Sequence, residues 1–413
     1  LANDRLATTA YFAMTRGDGG QNLIGPEIRD ELGLIRTQEL LAARKIDGGQ
    51  QFFTRANDFG FSKVASETFE IWDKDAILSD VVRVIRQFKP DVVINRFPPT
   101  ERAGHGHHQG SAILSIEAFD LVGKAEAYPK TASEYGVWQP KRLFVNVFGG
   151  GRGGPPPGAA PGGAGQRGSG PGESQAVPAG VIRTNIGGYN TLLGSSYGEI
   201  SALSRSQHKT QGFGSVGTRG DQFDSFELVK GEPAQKDLFD GINTTWSRVK
   251  GGEKIQPLVD KALKEFNFLN PSSIVPTLVQ IHKEILTLEP GVWKDRKLAE
   301  TDQLIQDCLG LYAEVSTDLS WAAPGERVAT QVEIINRSAV DVVFEGIKSA
   351  DMPMDTTFSR SLKNGEVFRV RSVKRLDASK NYSDPYWLQE PHSVGVFTVK
   401  NESKIGTPEN VPA

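Results

Sequence analysis

The chain has 413 residues, of which 38% are hydrophobic and 23% charged, a composition typical of a globular protein with two or three domains. Its formal net charge of -3 argues against a nucleic-acid or polyanion binder, since such proteins usually carry a basic excess. No apolar run approaches the length of a membrane span. Cys308 is the only cysteine, which excludes an internal disulfide framework and a cysteine zinc cage.

The first part of the chain alternates between apolar strand-like runs and amphipathic helix-like runs. This alternation predicts an α/β fold with a Rossmann-like, mostly parallel sheet and flanking helices. The predicted strands are Arg5–Thr15, Gln51–Thr54, Asp91–Asn95 and Arg142–Phe148. The predicted helices run from Pro26 to Lys45, from Asp75 to Phe88 and from Gln109 to Val122.

Composition and pattern then divide the chain into three parts. We predict an α/β domain over residues 1–225, a helical segment over 226–316 and an incomplete β-sandwich-like domain over 317–413. Within the first part, the Gly/Pro-rich insertion at 149–175 is expected to be disordered, because it cannot bury apolar area. The chain is expected to rejoin the fold with Val181–Asn185 and Ser196–Gln207. The helices expected in the second part are Ile255–Phe268, Ile274–Leu288 and Lys297–Val315, and the strands expected in the third are Val328–Asn336, Val340–Gly346, Val367–Val373 and Val394–Val399.

Three of the six histidines, His105, His107 and His108, lie within four positions after a predicted strand and a Pro98-Pro99 turn. The end of a rigid element is a suitable place for a metal or acid–base site. Two imidazoles spaced i, i+3 at the start of a helix can face one pocket, but a solvent-exposed loop explains the pattern equally well. Catalytic zinc needs three protein ligands and an open position, which this cluster alone does not supply with good geometry.

Three further stretches carry polar groups with two interpretations each. The loop Arg16–Gly20 lets a ligand approach its backbone, or it is a tight turn that uses glycine for positive φ. Arg36 and Glu39, spaced i, i+3 on a helix, form a surface ion pair or a pair that orients a neighbouring group. The stretch Ser204–Gly212 lines a pocket for a polyhydroxylated substrate, or it is an exposed helix end. Tyr386 and Trp387 are compatible with carbohydrate binding, although a core or turn role is favoured.

Taken in order, these motifs resemble the PIG-L/LmbE-like de-N-acetylases. The resemblance rests on Thr15-Arg16-Gly17-Asp18-Gly19-Gly20, on Arg36-x-x-Glu39 with Ala43 after it, and on His105-x-x-His108 followed by Gln109. The stretch Ser204–Gly212 is similar to the longer bacterial members, which carry C-terminal extensions. The resemblance implies a zinc-dependent hydrolase that removes an N-acyl group from an amino sugar or glycoconjugate.

The resemblance also implies roles for individual residues. His108 would be a zinc ligand, and His105, as an imidazolium, would stabilise the oxyanion or protonate the leaving amine. Asp18 joins His105 in the expected catalytic set. The remaining expected roles are substrate binding by Arg16, His208 and Lys209 and structural support by Arg36 and Glu39.

One departure from the family pattern shapes the functional expectation. The family's His-Pro-Asp-Asp-Glu motif, which would supply two zinc ligands and the general base, does not occur in the sequence. We expect an N-terminally truncated chain that is inactive by itself, with zinc bound in the full-length parent. The alternatives are a non-catalytic glycan-binding protein of the same fold and a nucleotide- or phosphate-binding Rossmann domain that uses Gly17–Gly20. The expected partner is a small-molecule or glycan substrate, with no nucleic acid and no transmembrane segment. The compartment and the oligomeric state stay open, and a secreted or periplasmic protein is compatible with an upstream signal peptide.

Overall fold

The computed structural model describes residues 1–147, 180–349 and 354–408. The predicted disordered insertion at 149–175 lies outside the described residues. The chain forms two compact units. One consists of Leu1–Ile242 together with Asp384–Asn410, and the other is built mainly from Asn243–Ser383.

The first unit is an α/β structure that contains two parallel strand pairs. Its strands are β1 (Ala10–Ala13), β2 (Gln50–Phe53), β3 (Val92–Asn95), β4 (Arg142–Val147), β5 (Val181–Asn185), β6 (Tyr189–Asn190), β7 (Ser195–Ser196) and β8 (Phe223–Gly231). Strand β1 pairs in parallel with β2, and β3 pairs in parallel with β4. The predicted α/β class with a parallel-containing sheet is therefore confirmed.

The four-stranded sheet of this unit becomes antiparallel beyond β4. Its order is β3-β4-β8-β5, and β8 runs antiparallel to both of its neighbours. Strand β8, whose polar and apolar residues follow a Gly-rich stretch, was not predicted from the sequence. The sheet is therefore mixed, with its parallel pair at one edge.

Seven helices accompany these strands in the described part of the first unit. They are α1 (Ala2–Arg5), α2 (Asp30–Asp47), α3 (Ala65–Ile71), α4 (Lys74–Phe88), α5 (Gly106–Leu121), α6 (Pro129–Tyr135) and α7 (Tyr197–Arg205). Helix α4 begins where the Asp73 side chain accepts a hydrogen bond from the Ala76 N–H. It ends at Lys89, whose φ of 54° is left-handed and which precedes Pro90. The predicted helix Asp75–Phe88 thus has the boundaries that its sequence signals indicate.

The main core of the first unit lies between α4 and α5. Its fully buried members come from both helices and from the loop after β2, and they include Ala56, Ile77, Val82, Leu114 and Ala118. Helix α4 supplies the apolar stripe that the sequence periodicity predicted. Because α5 also carries His107 and His108, this core fixes the element that presents the histidines.

The second unit joins a helical part to two small antiparallel sheets. Its helices are α8 (Gln256–Glu265), α9 (Val275–Leu286) and α10 (Val292–Leu309), and its strands are β9 (Tyr312–Thr317), β10 (Arg327–Ile335), β11 (Val342–Ser349), β12 (Met354–Leu362) and β13 (Val367–Arg375). The sheets have the orders β13-β10-β9 and β11-β12. Val332, Ile334 and Leu362 form a small core to which both sheets contribute.

Two of the predicted elements differ in this part of the chain. The helix predicted over Lys297–Val315 ends at Leu309, because Gly310 adopts a left-handed φ of 56° and the following residues form β9. The segment Val394–Val399 was predicted as a strand and is not one. It belongs to the first unit, where Val396 forms a single bridge with Ala56. Tyr386 and Trp387 are buried in the same unit, as the favoured core interpretation predicted.

None of the helices in the described ranges has the length and the apolar character needed to cross a membrane.

We predict that Leu114→Ala lowers the free energy of unfolding by about 2–5 kcal/mol, because it leaves a cavity at a fully buried core position. Urea denaturation of the full chain measures this change. Leu203→Ala is the matched control, because Leu203 lies on α7 of the same unit and is 58% exposed. Equal losses for the two variants would contradict the assignment of the core.

Candidate functional site

Three loops of the first unit meet around one cavity, and each loop follows a strand. The loops contain residues 14–21 after β1, 54–62 after β2 and 96–105 after β3. The cavity has a volume of about 380 Å³. It is lined by Thr15, Gly19, Gly20, Gln21, Asp58, Gly60, Phe61, His105, His107 and His108. Ligands of open α/β folds commonly bind beyond the carboxyl ends of the strands, which makes this cavity the candidate site.

His105 caps helix α5 with its own side chain. Its Nδ1 accepts a hydrogen bond of 3.1 Å from the backbone N–H of His107. A neutral ring that accepts at Nδ1 carries its proton on Nε2, so Nε2–H is a donor. Burial lowers the pKa of His105, although Asp58 and the Gly60 backbone oppose the shift. The structure therefore favours a neutral donor at pH 7 instead of the imidazolium that the resemblance implied.

His107 lies deepest of the three histidines. Its Nδ1 is 3.0 Å from the Ser62 Oγ, which in turn is 2.8 Å from the Thr68 Oγ1. Its Nε2 is 3.6 Å from the Asp58 Oδ1. Burial, followed by the neighbouring His105 and His108, lowers the pKa of His107 to about 3. The ring is therefore neutral at physiological pH, and its approach to Asp58 is a polar contact and not an ion pair.

His108 offers one ring nitrogen to the cavity. The ring stacks on Phe97 with 3.8 Å between the centroids, and its Nδ1 lies 3.3 Å from the Ala103 carbonyl oxygen. Because a carbonyl only accepts, Nδ1 carries the proton and Nε2 keeps its lone pair. Burial lowers the pKa of His108, which also favours this neutral form. Its Nε2 is thus in the chemical state that a metal ligand requires.

The described ranges contain no group of three His, Cys, Asp or Glu side chains arranged to hold a metal ion. The ring centroid of His105 is 4.7 Å from that of His107 and 5.2 Å from that of His108. His105 and His107 each use Nδ1 in a hydrogen bond, so neither Nδ1 is available to a metal ion. The described residues therefore do not fit a zinc ion by themselves.

Gly19 and Gly20 line one side of the cavity, which we call the glycine wall. Asp18, which precedes Gly19 in the chain, does not line the cavity. The side chain is 2% exposed, and neither carboxylate oxygen has a hydrogen-bond partner in the described part of the chain. It packs against Gly33 of α2, where any Cβ would overlap the Asp18 Oδ1. Burial raises the pKa of Asp18 from 3.8 to about 7, outweighing nearby backbone N–H groups that favour the ionised form. A carboxyl group in this state holds or releases a proton near neutral pH.

Arg36 and Glu39 are buried and hold two segments together. Arg36 donates to the carbonyl oxygens of Gly17 and Gln21, each at 2.7 Å, and to the Thr210 Oγ1 at 3.3 Å. Glu39 accepts from the Thr210 N–H at 2.6 Å and from its hydroxyl at 2.8 Å. The pair thus ties the Gly-rich loop to the stretch that contains Thr210, and it is not a surface ion pair. Because the loop points carbonyl oxygens at a cation, its contacts do not favour phosphate binding.

The other predicted substrate-binding residues do not line the cavity. Arg16 is buried between the rings of Phe53 and Trp387, with its guanidinium carbon 4.2 Å and 3.3 Å from their centroids. His208 is half-buried and lies 6.4 Å from Phe213 between ring centroids, and Lys209 is exposed. Roles for these residues in substrate binding stay predictions.

Asp58 and Phe61 line the cavity but were not predicted from the sequence. Asp58 accepts a hydrogen bond of 2.9 Å from the Gly60 N–H, and burial raises its pKa. Phe61 is exposed at the cavity and meets His105 edge to face at 5.1 Å. The sequence signal that could have identified them is their position after a predicted parallel strand, because residues there lie at the ligand-binding edge of the sheet. The strand Gln51–Thr54 was predicted, but no motif in the loop after it pointed to site residues.

We predict that Asp18→Asn changes the pH dependence of stability. The folded pKa of Asp18 lies above its unfolded value, so its contribution to stability is complete below about pH 4 and is lost as pH rises through 7. The stability of Asp18→Asn relative to the unmodified chain should therefore improve between pH 5 and pH 8, by on the order of 2 kcal/mol. Urea denaturation at both pH values measures the difference, and a difference that does not vary with pH would contradict the assignment.

We also predict that Gly19→Ala disturbs the cavity. A Cβ at this position would overlap the backbone nitrogen of Gly60 and lie 2.5 Å from the Asp58 carbonyl oxygen. The two loops would have to separate, and we expect a loss of about 1–3 kcal/mol in the free energy of unfolding. Gly214→Ala is the matched control, since a Cβ at Gly214 would meet no atom within 4 Å in the described part of the chain. A Gly19→Ala protein as stable as this control would show that the loops do not touch.

Comparison with known proteins agrees with the motifs of the first segment. The family model of PIG-L, described as GlcNAc-PI de-N-acetylase, matches residues 2–119. No curated protein matches the chain. Among solved structures, an N,N'-diacetylchitobiose deacetylase from Pyrococcus horikoshii, complexed with its inhibitor MPG, is similar at 17% identity and a TM-score of 0.27. The match covers 35% of this chain and 51% of that protein, so the chain spans about half the length of this solved relative. The segment that the PIG-L model matches, residues 2–119, carries the strand-end loops and all three clustered histidines.

Proposed function

We propose that the cavity binds an N-acylated amino sugar or glycoconjugate and is part of an N-deacetylase site. The observation that carries this proposal is the convergence of Asp58, His105 and His108 on one cavity at the ends of parallel strands. These residues lie in the segment that the de-N-acetylase family model matches. The cavity volume of about 380 Å³ is within the range of small-molecule sites.

The lining offers complementary chemistry for such a ligand. The Nε2–H of His105 would donate to the acyl oxygen and stabilise the charge that develops there during amide hydrolysis. Asp58 would accept hydrogen bonds from sugar hydroxyl groups, and Phe61 would pack against the apolar face of a sugar ring. Asp18, which is buried outside the lining of the cavity and whose pKa is raised to about 7, would hold or release a proton near neutral pH.

The zinc dependence that the resemblance implies needs more ligands than the described residues provide. His108 supplies one suitable nitrogen, and the described part of the chain contains no complete metal-binding group. A single imidazole does not hold zinc tightly. In a complete site, zinc would polarise the acyl group and activate water. We propose that the chain by itself binds the sugar but does not hydrolyse its amide.

A non-catalytic glycan-binding protein is the second candidate function. It is favoured by the same observation, that the described ranges contain no group of three side chains able to hold a metal. Both candidate functions require that the cavity binds a sugar. They differ in whether acetate is released once the missing ligands and zinc are supplied.

We predict that the chain binds N-acetylglucosamine in the cavity and that His105→Ala weakens this binding about tenfold, the value of one lost hydrogen bond. Titration followed by the ring NMR signals of the histidines measures the affinity and reports its location. His282→Ala is the matched control, because His282 lies in the second unit, 3.0 Å from the Asp302 Oδ1. Equal affinities for the two variants would remove His105 from the site.

Two further measurements on the same samples test the rest of the proposal. With added zinc we expect less than stoichiometric tight metal binding and no acetate release from N-acetylglucosamine. Acetate release by the chain alone would overturn the account of the metal. Failure of N-acetylglucosamine to shift any histidine signal at concentrations up to about 100 mM, a weak affinity even for a small sugar, would overturn the proposed function.

A further inference from the structure

The last part of the described chain returns to the first unit after the whole second unit. We call residues 384–408 the C-terminal segment. The family model, which matches residues 2–119, does not include it. In the structure this segment lies directly against two of the three loops that form the cavity.

Backbone contacts join the C-terminal segment to the loop after β2. The Phe397 N–H donates to the Arg55 carbonyl at 2.8 Å, and the Asn57 N–H donates to the Gly395 carbonyl at 2.9 Å. Ala56 and Val396 form an antiparallel bridge between these two bonds. Asn57 is the residue before Asp58, so the hydrogen bonds to the C-terminal segment extend along the loop to the residue next to Asp58.

Packing and charged contacts hold the C-terminal segment closely against the first unit. A Cβ at Gly395 would overlap the Ile71 carbonyl oxygen, so the segment lies flush against the end of α3. Phe397 is fully buried. Glu402 lies near three basic groups, 2.6 Å from the Lys130 Nζ, 3.6 Å from Arg55 and 3.8 Å from Arg83.

Side chains join the same segment to the loop after β1. Trp387 is 2% exposed and covers the Arg16 guanidinium at 3.3 Å. Arg16 also donates to the Tyr386 hydroxyl at 3.2 Å and to the Pro408 carbonyl at 2.6 Å. A planar guanidinium held by stacking and by hydrogen bonds has little freedom, and Arg16 is followed at once by the loop Gly17–Gly20.

His392 adds a polar contact next to Asp58. Its Nδ1 donates to the Ser393 carbonyl oxygen at 2.8 Å and lies 3.3 Å from the Asn57 Nδ2, and its Nε2 is 3.2 Å from the Asp30 Oδ2 at the start of α2. The ring thus connects the loop after β2 to the helix that carries Arg36. It lies outside the lining of the cavity.

We propose that Arg16, Trp387 and His392 are positioning residues and that the C-terminal segment sets the geometry of the cavity. Trp387 acts through Arg16 on the glycine wall, and the backbone of residues 395–397 acts through Asn57 on Asp58. Gly19 packs against Asp58 and Gly60, so the two loops are held in mutual contact. This positioning role concerns the site of the proposed function, but it requires only that the cavity has this geometry and not that it binds sugar.

The test uses the full chain and the ring NMR signals of His107, whose Nε2 lies 3.6 Å from Asp58 and therefore reports the position of that loop. We expect Trp387→Ala to shift or split the His107 signals. Trp387→Phe, which keeps an aromatic face over Arg16, should give His107 signals like those of the unmodified chain. Leu143→Ala is the control for general destabilisation, because Leu143 is a fully buried residue of β4 in the same unit and does not line the cavity.

Unchanged His107 signals in folded Trp387→Ala would overturn the proposal, and so would equal perturbation by Leu143→Ala. If Trp387→Ala does not fold, His392→Gln is measured by hydrogen exchange. We expect the exchange rate of the Asn57 backbone N–H to rise at least about tenfold, the equivalent of one weakened hydrogen bond. The exchange rates of the core backbone amides of α4 should not change. An unchanged Asn57 rate would contradict the proposal. Neither readout requires sugar binding, so a failure of the proposed function would leave this result interpretable.

Discussion

The cavity depends on one buried guanidinium. Arg36 is 7% exposed, and its two terminal nitrogens bind the carbonyl oxygens of Gly17 and Gln21. A planar fork of this kind fixes both ends of the intervening loop at once. It also explains the glycines, because a Cβ at Gly17 would lie 2.8 Å from the Arg36 Cδ and one at Gly20 would overlap the guanidinium. One wall of the cavity is therefore backbone, and its shape follows from the position of a side chain on α2.

Burial gives the site its electrostatic character. It lowers the pKa of His105, His107 and His108 and raises the pKa of Asp18 and Asp58. Both directions favour neutral forms, as expected where desolvation outweighs the neighbouring charges. The ring centroid of His105 can therefore lie 4.7 Å from that of His107 and 5.2 Å from that of His108 without like-charge repulsion. Such surroundings suit an uncharged amide better than a charged ligand.

The sequence predicted best what local rules determine. Helix α4 and strand β3 follow from periodicity and from the stop at Lys89-Pro90, and the histidines share a cavity because they are neighbours at the start of α5. The sheet partner of β4 and the packing of Trp387 on Arg16 join residues far apart in the chain, and no spacing rule identifies such pairs. Asp58 falls between these cases. The strand before its loop was predicted from the sequence, but the direction in which the loop leaves that strand was not. Arg16 carries the same lesson, since its motif suggested a pocket residue while its burial depends on aromatic groups some 370 positions later.

The return of the chain to the first unit also has a consequence for biosynthesis. Residues 1–242 leave the ribosome well before the partner of Arg16 exists, because residues 243–383 must be made first. At about 5–20 residues per second that interval lasts roughly 7–28 s. During this time the Arg16 guanidinium can contact Phe53 and Thr37, which lie within residues 1–242, but not Trp387. The pairing of residues 395–397 with the loop after β2 therefore cannot form until the second unit has been synthesised, which makes it one of the late events in the folding of the first unit.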